Sequence, residues 1–211
     1  TEVLTVDRGD DIDRLVVTLK KGGADALRYD YAFVNGEWTL VRPDGVYYGG
    51  SREQWSAGML RQIIGEHLGA SQRVAVIDIH TGLGAYGDAE LISEDETASP
   101  AYQRARAWWG DSVASTRSGD SVSAQVHGSL DSAMPGITGA PETTMICLEY
   151  GTYSTLEVFQ ALRADNWLHT KASANHPDAK AIKTQIRKAF YPDQDDWKEK
   201  VWLRGREVLT Q

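Results

Sequence analysis

Two short apolar runs constrain this chain most: Arg73–Ile79 (RVAVIDI) and Thr144–Leu148 (TMICL). Each is almost unbroken, the pattern of a strand covered on both faces in a parallel sheet. Helical patterns lie between and after them. Ser99-Pro100 reads as an N-cap with Pro at the first helical position, opening a helix through Trp108 and Trp109. Ser154 with Glu157 is a capping-box pattern, starting a helix through Leu162. Ala179–Phe190 is helical by period, between Pro177 and Pro192, and Trp197–Leu209 is a last amphipathic helix. Helices alternating with apolar strands predict an α/β fold, a three-layer α/β/α sandwich with a mainly parallel or mixed sheet.

The remaining segments are plainer. Thr1–Val6 alternates loosely, as a short strand does. Asp11 is placed to cap a helix carrying Ile12, Leu15, Val16 and Leu19, which Gly22-Gly23 ends. Tyr31–Val34, Asn35-Gly36 and Glu37–Val41 read as a hairpin, since Asn-Gly tolerates the positive φ of a type I′ turn. Pro43-Asp44-Gly45 is a turn. Ser51 with Gln54 resembles a capping box ahead of a helical stripe of Trp55, Met59 and Ile63 that Gly69 ends. Residues 110–142, rich in Ser, Gly and Asp, read as loops with one short strand near Val122–His127.

With 211 residues, a single domain spanning 1–211 is expected. The formal net charge of −8 argues against nonspecific nucleic-acid binding or adhesion to anionic membranes, since both need a basic face. One cysteine makes neither an internal disulfide nor a cysteine-based zinc site. No run of 18 apolar residues and no signal peptide is visible, so a cytoplasmic location is expected.

Both apolar runs end in a residue that a buried strand does not choose for stability. The first closes Asp78-Ile79-His80 before Thr81-Gly82-Leu83-Gly84, and the second closes on Glu149 before Tyr150-Gly151-Thr152. In open α/β sheets, ligands bind beyond the carboxyl ends of the strands. Parallel strands would therefore bring His80 and Glu149 to one rim. Asp78 and His80, two apart, share a face. A carboxylate in so apolar a strand is costly unless partnered, so Asp78 needs a partner. Taken singly, each of these residues is more often structural than functional. Their equivalent placement, each before a glycine turn, is what favours a site.

These residues resemble a family. His80-Thr81-Gly82 at one strand end and Glu149 at a later one look like the metallocarboxypeptidases of carboxypeptidase A type, and like the related succinylglutamate desuccinylases and aspartoacylases. The wording is closer still to a bacterial branch known as a domain of unknown function, family 2817. That likeness rests on Pro43 to Gly50 (PDGVYYGG), Asp78 to Gly87 (DIHTGLGAYG), Glu90-Leu91-Ile92, Glu149 to Thr152 (EYGT) and Arg163 to His169 (RADNWLH). The resemblance implies a phosphorylase/hydrolase-like fold and a zinc-dependent amide or peptide hydrolase acting on a small peptide or an acyl amino acid. It makes His80 one zinc ligand and Glu149 the general base. Thr81, Tyr86, Tyr153 and Arg163 become candidates for the substrate pocket, with Asp78 supporting the site.

The sequence departs from that family in one respect. It contains no His-x-x-Glu, the motif that supplies the family's other zinc ligands, and no Asn-Arg pair to grip a substrate carboxylate. Both precede the His80 position in the family, so the chain is expected to be the C-terminal part of a longer polypeptide. It is also expected to be poorly active or inactive alone, the longer parent being the enzyme, and to pair with itself or with the absent part through an open sheet edge. The alternative is a binding module that has lost its metal site. A serine hydrolase is disfavoured by the absence of a Gly-x-Ser-x-Gly elbow. Cys147 is expected to be a buried small hydrophobe facing away from Glu149, and Trp108, Trp109 and Trp167 are expected in the core. His67, His127, His169 and His176 gain no role.

Overall fold

The computed structural model describes residues 2–8, 14–20, 27–34, 37–41, 44–46, 48, 52–123 and 128–211, the first four segments as backbone alone. Its contacts gather into two compact units, Thr1–Ser51 and Arg52–Gln211. The first holds β1 (Glu2–Arg8), β2 (Arg14–Lys20), β3 (Leu27–Val34) and β4 (Glu37–Val41), an antiparallel meander in sequence order. Val34 pairs with Glu37, so β3 and β4 form the expected hairpin; the Asn35-Gly36 turn itself lies outside the described residues. The helix expected from Asp11 is instead the strand β2, paired on both sides. Its run Leu15-Val16-Val17-Thr18-Leu19 is rich in β-branched residues, and two neighbouring strands outweigh a helical spacing of four apolar positions.

The second unit carries a four-stranded mixed sheet in the order β5-β8-β6-β7, which makes the protein α/β. The expected strands are β5 (Arg73–Thr81) and β8 (Glu142–Tyr150), parallel and in register from Arg73↔Glu142 to Thr81↔Tyr150. Two strands come from segments read otherwise or passed over. β6 (Ala89–Ser93) lies antiparallel to β8, and β7 (Val113–Ser115) parallel to β6. No strand forms at 121–123, and 124–127 lie outside the described residues. Among the described residues β5 pairs only with β8, and Ile79 is 57% exposed, so the expected cover on both faces of β5 is absent.

Helices lie on both faces of this sheet. α1 (Trp55–Leu68) begins after Gln54, which forms no side-chain cap; Ser51, where the capping box was expected, lies outside the described residues. α2 (Pro100–Trp109) is capped by Ser99, whose hydroxyl accepts from the Tyr102 N–H. α3 (Leu130–Thr138) lies in the Ser-, Gly- and Asp-rich stretch expected to be loops, with Pro135 and Gly136 inside it. Ser129 caps it, left-handed Gly139 ends it, and its stripe Leu130, Met134 and Thr138 follows helical spacing. α4 (Thr155–Thr170) starts on the expected capping box of Ser154 and Glu157 and runs two turns past Leu162. α5 (Ala179–Phe190) has the expected bounds, and α6 (Asp195–Thr210) closes the chain.

The core forms where Leu91, Ile146, Leu148 and Tyr150 turn one sheet face towards Tyr102, Ala105 and Trp109 of α2 and Trp197 and Val208 of α6. Trp109 donates its indole N–H to the Val208 carbonyl at 3.0 Å, tying α2 to α6. Trp109 is buried as expected, but Trp108 and Trp167 are 39% and 42% exposed. Alternation sends Met145, Cys147 and Glu149 to the opposite face, where α3 packs on β8.

Candidate functional site

The register of β5 on β8 places His80 directly beside Glu149 and Asp78 beside Cys147. On the other side of β8, Glu90 of β6 pairs with Glu149 and Ile92 with Cys147. One row across the sheet therefore reads His80, Glu149, Glu90, with adjacent strands about 4.8 Å apart. The two strand tips converge as the sequence suggested, and Glu90 is the row's third member and second acid, to which sequence reasoning gave no role. Its signal was available: an acid inside the short apolar stretch of Ala89 to Ile92.

His80 lies between two carboxylates. Its Nε2 is 2.8 Å from Asp78 Oδ2, and its Nδ1 is 3.8 Å from Glu149 Oε2. A carboxylate can only accept, so Nε2 carries the proton that Asp78 receives as a hydrogen bond. Asp78 thus has the partner its position demands. The side chain of His80 is 52% exposed and that of Glu149 only 7%.

Glu149 is held from the loop that follows β5. The Leu83 N–H donates to its Oε1 at 3.0 Å. That loop is fixed by the Gly82 N–H on the Tyr150 carbonyl and the Gly87 N–H on the Gly151 carbonyl, both at 2.9 Å. Gly82 sits at φ 138°, where a Cβ would also press within 2.8 Å of the Phe190 ring. A Cβ on Gly151 would collide with the Ala85 carbonyl. The glycines after both strands are what let these loops touch. Burial raises the Glu149 carboxyl above the usual carboxylate range; the Leu83 N–H and His80 oppose the rise, while Glu90 and Asp78 add to it.

Cys147 corrects the sequence reading. It lies two residues from Glu149, not one, so both face the same side of β8. Ligand atoms of His80, Cys147 and Glu149 all lie within 4.8 Å of one another, close enough to share one ion. Burial, with Glu149 and Asp78 nearby, pushes the thiol up to about 12, so without a metal it stays protonated.

The pocket candidates divide. The Thr81 hydroxyl donates to the Phe190 carbonyl at 2.7 Å, and that of Thr152 to the Ala189 carbonyl at 2.7 Å. Both strand tips are thereby tied to the end of α5. Tyr86 donates to Asp196 Oδ1 at 3.2 Å, with Lys200 over its ring. Tyr153 lies under Lys188 Nζ, 5.7 Å from the ring centroid, and lines a cavity of about 210 Å³ between α4 and α5. Arg163 sits exposed on α4 over the Phe159 ring. His127 lies outside the described residues.

Fold and site together define an α/β protein with a histidine–carboxylate cluster at the carboxyl ends of adjacent parallel strands. The chain belongs to the family described as "Protein of unknown function (DUF2817)", whose model matches residues 9–204. No curated protein and no solved structure matches it.

Proposed function

We propose that this protein is a zinc-dependent amide or peptide hydrolase of metallocarboxypeptidase-like chemistry, with a small peptide or acyl amino acid as substrate. The observation that carries the reading is the Asp78–His80–Glu149 arrangement. A histidine that binds a metal through one nitrogen characteristically donates the other N–H to a carboxylate, as His80 does to Asp78. Its Nδ1 is then free on the side of Glu149. Imidazole, thiolate and carboxylate are all donors that zinc accepts, so the cluster fits the ion in kind. His80 would hold the zinc, with Cys147 in reach as a further donor. The sequence lacks His-x-x-Glu, so these residues supply only part of a catalytic site's usual three protein ligands. Weak binding and slow turnover follow for this chain.

A bound zinc would act as a Lewis acid and lower the pKa of its water towards about 7. The protein's own part falls to Glu149. It takes the proton from the attacking water and delivers it to the leaving nitrogen, the role of a general base that then serves as acid. Burial raises its proton affinity above that of an ordinary carboxylate, which favours its holding the proton between the two steps. The Leu83 N–H keeps one oxygen fixed and leaves the other, towards His80, for the proton. The missing motif favours one second reading, a binding module without chemistry.

Zinc-titrated protein, assayed for amine release from a panel of N-acetyl amino acids and dipeptides, tests this. Slow zinc-dependent turnover is expected, lowered by about 10²–10⁴ in Glu149→Gln with substrate binding retained. Turnover indifferent to chelator, or equal in Glu149→Gln, contradicts it.

A further inference from the structure

Glu90 is a costly residue where it stands. It faces Glu149 across the antiparallel β6–β8 pair, and like charges directly opposite each other destabilise a sheet. It is also half-buried. Its carboxylate is nevertheless engaged. The Val122 N–H donates to Oε2 at 3.0 Å and to Oε1 at 3.4 Å, and the Ser121 hydroxyl lies 3.5 Å from Oε2. The Ser123 N–H in turn donates to the Ser121 hydroxyl at 3.0 Å, closing a small turn on the carboxylate. This turn stands at the outer end of the row that begins with His80. It brings Val122, 52% exposed, to that edge. An ionised acceptor binds a backbone N–H more strongly than a neutral one, which offsets the repulsion.

We propose that Glu90 is a positioning residue, which fixes the Ser121–Val122 turn as the wall of the substrate cleft on the side of Glu149 away from His80. The proposal rests on the hydrolase reading of the site. Glu90 touches neither water nor substrate; it acts through the turn. Glu149 keeps its own bond from Leu83 when Glu90 changes, so loss of the turn falls on substrate binding; loss of the Glu90 charge lowers the proton affinity of Glu149 in Glu90→Ala and Glu90→Gln alike, which makes Glu90→Gln the control for that effect.

The test uses the whole zinc-supplemented chain, Glu90→Ala and Glu90→Gln, with the best substrate of the panel above. Amide hydrogen exchange reads the anchor. Glu90→Ala is expected to lose at least tenfold protection at Val122 and none at Leu83. Steady-state kinetics read the wall: KM rises about tenfold while kcat stays within threefold. Glu90→Gln restores both, because its amide oxygen accepts the same N–H. Equal Val122 protection in wild type and Glu90→Ala overturns the proposal, as does a loss confined to kcat or a Glu90→Gln as impaired as Glu90→Ala. If the wild type shows no turnover, the hydrolase reading fails. The wall is then judged by the Kd of the same compounds in calorimetry, which Glu90→Ala must weaken tenfold; an unchanged Kd overturns it.

Discussion

Asp131 shows how far a carboxyl group here departs from its ordinary behaviour. It sits in the first turn of α3, half-buried, with one oxygen lacking a hydrogen-bond partner. Burial, then the charges of Glu94 and Asp95, raise it from 3.8 to about 7. A raised folded-state value means that the folded protein holds this proton more tightly than the unfolded chain. Its contribution to stability is therefore complete below about pH 4 and is lost as pH rises through about 7. Burial of Asp95 and Glu149 acts with the same sign. The thermal midpoint is expected to fall by roughly 4 °C from pH 5.5 to pH 8, and Asp131→Asn to remove most of that fall. A midpoint equally pH-dependent in Asp131→Asn contradicts the assignment. Asp131 was not legible because its state comes from burial and then from Glu94 and Asp95, all of which only the tertiary fold supplies. His80, Asp78 and Glu149 were legible for the opposite reason: a polar residue ending an apolar strand is visible in the sequence itself. Cys147 was misread through parity, since side chains two apart in a strand share a face.

Among the elements, those with local signals were legible and those that depend on neighbours were not. The Ser99 and Ser154 caps mark the starts of α2 and α4 by chemistry that acts within three residues. β2 depends on the strands on either side of it, β6 and β7 on partners farther along the chain, and α3 carries Pro135-Gly136 inside its stripe. The junction after β8 shows what such tertiary dependence implies for stability. The Gly151 N–H donates to the Asp88 carbonyl, and its own carbonyl accepts from Gly87 and from the Trp197 indole. Gly151→Ala would drive its methyl into the Ala85 carbonyl and the Gly84 backbone, which are not flexible side-chain ends. A loss of about 3 kcal/mol, at the upper end for overpacking, is expected in urea unfolding. A loss below about 0.5 kcal/mol would show that the 84–88 loop moves aside freely.

On the scale of the whole molecule, the sheet divides its labour by face. The face of Leu91, Ile146, Leu148 and Tyr150 packs beneath α2 and α6 and holds the fold together. The opposite face carries Asp78, His80, Cys147, Glu149 and Glu90 to a common rim. The α/β class was readable from two almost unbroken apolar runs; the division by face was not, because runs without alternation do not mark which side meets the helices. The meander of the first unit was half readable, its hairpin plainly and β2 not at all. No helix among the described residues is long and apolar enough to cross a membrane. What the account asks of this architecture is one poised imidazole. Nitrogen-15 NMR of the histidine side chains during zinc titration measures it directly. His80 should begin with its proton on Nε2, and zinc should shift its Nδ1 resonance saturably before that of His67, His127, His169 or His176. A proton on Nδ1, or zinc shifting the other histidines while His80 stays unchanged, would contradict the account.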